Sequence, residues 1–139
     1  MSTSHQGGRL SAERQAGAIL TAFARSLNGV DGALLASLDG RALAAQLPSH
    51  GHRQTAAIVA SSLGLGSRLA ELTGDGELHE IVVRSGTGYV VIYAVADNGA
   101  LIVLTKPSVN LALLHVKSRG AVQQLGALVP AIEPEPIEA

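Results

Sequence analysis

Three stretches of this 139-residue chain, GALLASL at 32–38, YVVIYAV at 89–95 and ALIVLT at 100–105, are aliphatic at almost every position. A strand covered on one side alternates apolar with polar residues. These do not, so each needs a layer of packing on both faces of its sheet. A chain with three such strands must also supply the helices that cover them.

The intervening segments carry that signal. Ser11 reads as an N-cap and opens α1, with Ala16, Ile19, Leu20, Phe23 and Leu27 at helical spacing and Asn28-Gly29 as its left-handed stop. Strand β1 runs to Leu38. Asp39-Gly40 reads as a two-residue hairpin turn, and β2 returns from Arg41 to Leu47 before Pro48. The loop at 49–52 leads to α2, expected over 53–73 and capped by Gly74. A meander follows: β3 at 78–84, β4 at 89–95 and β5 at 100–105, joined by the turns Ser85–Gly88 and Asp97–Gly99. Helix α3 spans 109–128, with Leu111, Leu114, Ala121, Val122, Leu125 and Leu128 on one side and Gly120 in its middle. The expected fold is α/β: a three-layer α-β-α arrangement around a five-stranded, mostly antiparallel sheet, in the order α1-β1-β2-α2-β3-β4-β5-α3. The domain is expected over 11–128. It is flanked by a Gly/Ser/His-rich disordered tail at 1–10 and a disordered Pro/Glu-rich acidic tail at 129–139.

Composition removes whole classes of function. Ten Lys and Arg balance eleven Asp and Glu, so there is no basic field for a phosphate backbone. Phe23, Tyr89 and Tyr93 are the only aromatic residues, too few for a base-stacking platform. Nucleic acid is therefore not the expected partner. The absence of cysteine excludes thiolate chemistry and fits a reducing compartment. No signal-peptide-like or membrane-length apolar run is present, so a cytoplasmic protein without direct membrane insertion is expected.

Width carries the argument from fold to function. Five strands at about 4.8 Å make a sheet roughly 20–25 Å across, and one helix covers about 10 Å of it. Three helices divide two and one, leaving one face half bare. At 100° per residue α2 carries two apolar stripes: Ala56, Val59, Leu63 and Ala70, and, about 140° around the helix, Ile58, Leu65, Leu69 and Leu72. One stripe suffices to dock a helix on its own sheet. The second implies another surface, and a two-fold pairing of the middle helices would cover both half-bare faces at once. Which stripe faces inward is left open by the sequence.

No catalytic apparatus accompanies this pattern. Gly64-Leu65-Gly66-Ser67 follows no strand, has Leu69 where a third phosphate-loop glycine would stand, and reads as a close helix approach. The five histidines (His5, His50, His52, His79 and His115) include no pair at i, i+4 spacing and do not form a metal motif. Arg41 and Arg84 read as solvated, and no nucleophile–base pair is present. The expectation is an interaction module, not an enzyme, with no cofactor.

The stretches GVDGALLASLDGRALAAQLP, AAIVASSLGLGSRLAEL, GELHEIVVRSGTGYVVIYAVADNGALIVLT and NLALLHVKSRGAVQQL, in this order and spacing, resemble the roadblock / dynein light-chain domain, and within it the bacterial gliding-motility small-GTPase regulators. The resemblance covers 11 to about 128. It implies a homodimer in which the β3 strands join into one sheet and the α2 helices pair across it. It also implies binding of a small Ras-like GTPase through the central helices, with stimulation of GTP hydrolysis or simple scaffolding as the role. The surface implied comprises Ile58, Leu65, Leu69 and Leu72, the solvent-side Arg53, Ala57, Ser61 and Arg68, and His79 and Ile81 at the strand joint. The alternative is a non-catalytic scaffold or tethering subunit of a signalling or motor complex. A small-ligand sensor is a third reading.

Overall fold

The computed structural model describes residues 2–47 and 52–132, with side chains over 7–47 and 54–132. Its elements are α1 (Ser2–Arg25), β1 (Val30–Ser37), β2 (Ala42–Gln46), α2 (His52–Ala70) with a short 3-10 turn at Glu71–Thr73, β3 (Glu80–Ser85), β4 (Gly88–Val95), β5 (Gly99–Thr105) and α3 (Leu111–Ile132). The order expected from sequence holds. The strands form one sheet in the order β2-β1-β5-β4-β3, antiparallel at every junction.

The three aliphatic strands lie at the centre, which is why they are apolar on both sides. Alternate residues feed two cores. Ala33, Leu35, Val91, Tyr93, Leu101 and Val103 pack under α1 and α3, while Leu34, Ala36, Ile92, Ala100 and Ile102 pack under α2. The helices thus split two and one. Register is fixed by this pattern, since a one-residue slip would exchange the two cores along a whole strand.

Several boundaries differ from the sequence reading, each for a physical reason. Asp39-Gly40 does not close a two-residue hairpin. Ser37 N–H donates to Arg41 O at 2.9 Å and Gly40 N–H to Ser37 O at 3.1 Å, giving a three-residue loop, Leu38-Asp39-Gly40. Gly40 sits at φ +91° where the extra residue must be left-handed. Helix α1 begins at Ser2, nine residues before the expected cap, so residues 2–10 are helical instead of forming a disordered tail. Ser11 accordingly does not cap. Its hydroxyl accepts from Gln15 at 3.2 Å, and Arg9 pairs with Glu13 at 3.2 Å one turn apart. Once the buried turns exist, each added residue costs little.

At the other end α3 runs four residues past Leu128, through Pro130. Val129 and Ile132 are almost wholly buried and continue the stripe of Leu114, Ala121 and Leu125. Burying two such side chains is worth roughly 4 kcal/mol, enough to offset the penalty of about 3 kcal/mol for an internal proline. Residues 133–139 of the expected acidic tail lie outside the described residues. Strand β3 starts at Glu80, not 78, although Ala94 N–H still reaches His79 O at 3.4 Å.

Candidate interaction surface

Among the described residues helix α2 is the sole helical cover of its face, and the structure decides which stripe does the covering. Ala56, Val59 and Leu63 are buried against the sheet. Gly66 completes this inner face: a Cβ there would meet Ile81 Cδ1 at 2.8 Å and Leu78 Cδ2 at 3.2 Å. Gly66 is therefore the point of close approach, and it meets a strand instead of the second helix expected from composition, whereas a Cβ at Gly64 would meet nothing within 4 Å.

The second stripe points away. Ile58, Leu65, Leu69 and Leu72 are 60%, 63%, 64% and 82% exposed. Four large aliphatic side chains in line on one helix exceed the scattered exposure normal for a surface. Ala57, Ser61 and Arg68 occupy the outer face and are exposed. Ser61 and Ser62 turn their hydroxyls back to the carbonyls of Ala57 and Ile58, at 3.4 and 2.9 Å, so they present little polarity outward. Arg53 belongs to α2, but its side chain lies outside the described residues, as do those of His5, His50 and His52.

Strand β3 adds a second element. It is an edge strand paired only with β4, and its Val82 and Val83 are 41% and 50% exposed. The sequence reading named Ile81 and passed over these two valines. The run IVV is apolar on both faces, which usually means double cover, yet here it lies at the margin with neither face fully covered. Ile81 is partly buried against the α2 core, whereas His79 and Glu80 are exposed near the strand start. The structure thus brings Ile81 against the inner face of α2 through Gly66, with His79 and Glu80 exposed at the adjoining edge, while the outer stripe stands apart from it.

Behind this edge, Tyr93 on β4 shares a 2.7 Å hydrogen bond between its hydroxyl and His115 Nδ1 on α3, with the rings edge to face. Burial pushes the Tyr93 phenol above its usual range. The Ser118 hydroxyl opposes that shift and the Glu80 carboxylate adds to it. Arg41 and Arg84 are exposed. Among the described residues no three His, Cys, Asp or Glu side chains converge as metal ligands, and no helix is long and apolar enough to cross a membrane.

Comparison with known proteins identifies the fold and family. A family model, the Roadblock/LC7 domain, matches residues 18–105. An uncharacterized protein of Methanocaldococcus jannaschii is 29% identical over 101 residues, covering 72% of this chain and 88% of its own length. Among solved structures, an MglB in a tetrameric arrangement superposes with a TM-score of 0.78 at 19% identity, over 87% of this chain and 92% of that one. The gliding protein mglB of Thermus thermophilus superposes with a TM-score of 0.75 at 19% identity, over 84% and 90%.

Proposed function

Because this chain belongs to the Roadblock/LC7 domain family, we propose that it is a homodimeric regulatory adaptor of the cytoplasm that binds a small Ras-like GTPase through its central helices and modulates GTP hydrolysis. One observation carries the reading. A helix that has already docked on its own sheet still exposes Ile58, Leu65, Leu69 and Leu72, on the face of the sheet that carries only this helix.

Magnitudes say how such a dimer would be held. Covering the exposed remainder of those four side chains in both protomers is worth roughly 10 kcal/mol. Association costs about 4–15 kcal/mol in lost translational and rotational freedom. The stripe alone gives a marginal dimer, and pairing of the β3 edges, with Val83 covered at the joint, supplies the rest. The paired α2 helices then present Ala57, Ser61, Arg68 and Arg53 as a shared platform for the GTPase. Likeness in fold to the gliding-motility regulators supports this choice of partner.

In this reading the chain acts on GTP indirectly, and any stimulation of hydrolysis comes from positioning the GTPase's own groups. A scaffold that binds without stimulating is the second reading. It rests on the same surface. Co-purification with the cognate GTPase, followed by a GTP hydrolysis assay, tests both. Faster turnover supports the regulator, binding without acceleration supports the scaffold, and failure to bind any Ras-like GTPase overturns both.

A further inference from the structure

The flank of α2 opposite the exposed stripe also borders open space, and nothing in the dimer reading occupies it. At 100° per residue Ala60, Gly64, Ser67 and Glu71 share this flank, well away from Leu65 and Leu69. Together with the β1–β2 turn, the β4–β5 turn and the segment before β3, they enclose a groove of about 730 Å³. Its apolar lining is Leu38, Leu63, Leu78 and Ala94, and Leu38 is 44% exposed there. A leucine exposed at a hairpin tip, beside a helix whose facing side chains are small, is an unfilled apolar slot.

Charge selects the occupant. Glu71, Glu77 and Asp97 stand around the slot, and among the described residues lining it there is no Lys, Arg or His. An acidic or neutral apolar segment would bring no compensating charge to these carboxylates, whereas a basic one would. The acidic 133–139 segment of this chain is excluded on the same ground. We propose that this groove is a second docking site, for a short leucine-bearing segment rich in Lys or Arg on another protein. It is distinct from the Ile58, Leu65, Leu69 and Leu72 stripe proposed for the dimer.

Two features make the test clean. A Cβ at Gly64 would meet nothing within 4 Å, so the backbone there tolerates a side chain, and Gly64→Leu is expected to crowd the groove. The double variant Glu71→Lys/Glu77→Lys leaves the groove's shape and reverses its rim. The probe is a fluorescein-labelled Arg-Leu-Leu-Arg-Leu peptide, with a Glu-for-Arg peptide as control, read by fluorescence anisotropy on the full chain. The basic peptide should bind the native protein at least about tenfold more tightly than the acidic one, and raising the salt should weaken it. Gly64→Leu should abolish binding, and the charge-reversed variant should lose the basic peptide and gain the acidic one. Leu65→Asp, which addresses the dimer stripe, should leave binding intact even if it produces monomers. Equal binding of both peptides, survival of binding in Gly64→Leu, loss of binding in Leu65→Asp, or no binding of the basic peptide to the native protein would each overturn the proposal.

Discussion

Gly88 shows how much a single position can carry. It opens β4 at φ +153°, and a Cβ there would lie 1.9 Å from Thr105 O, inside any possible contact. Gly88→Ala must therefore push β4 from β5 or unwind the strand start, and is expected to cost about 3 kcal/mol or more, read as a shift of the urea midpoint. Nothing in the local sequence separates Gly88 from Gly86, which stands two residues earlier with open space around it. Tyr93 makes a different point. Its raised phenol favours the neutral form in the fold. That contribution is fully present below the ordinary value near pH 10 and is lost as pH rises from there through the raised value. Denaturant melts between pH 8 and 11 should show stability falling above about pH 10, more shallowly in Tyr93→Phe.

At the level of elements, most of the architecture was legible because each strand and helix states its own periodicity. The order of elements and the split of helices follow from runs that alternate or do not, whereas the edge position of β3 does not, because its IVV run is apolar on both faces. The two stripes of α2 were legible as well, but not their assignment, because both are aliphatic. The choice is made by Gly66, which lets the helix approach Ile81 on one side only. The hairpin length was missed because Asp-Gly serves two-residue and three-residue loops alike. The ends of α1 and α3 were missed because exposed helical extension and burial beyond a proline leave weak local marks. The stripes yield a paired prediction. Leu63→Ala should cost the protomer about 2–4 kcal/mol by opening a cavity. Leu65→Ala should change protomer stability by less than about 0.5 kcal/mol and instead weaken self-association, measured by sedimentation equilibrium.

For the molecule as a whole, the proposed pairing makes stability depend on concentration. Diluting the protein from about 100 to 1 μM should lower its melting temperature by several degrees and shift its mass in light scattering from twice 14.1 kDa toward 14.1 kDa. A melting temperature that does not move, together with a protomer mass throughout, would remove the dimer. Those outcomes would leave the acidic groove in place, since it is built within one chain.

The adjacency of β1 and β5 also bears on how the molecule comes into being. The strand completed at Ser37 has its central neighbour only when Gly99–Thr105 exist, about sixty residues later, and both cores lean on that junction. On the ribosome, the first helix and hairpin must therefore wait, their leucines uncovered, until the chain has emerged through β5. Such a nascent chain folds late and all at once, and it is during this interval that chaperones have something to hold.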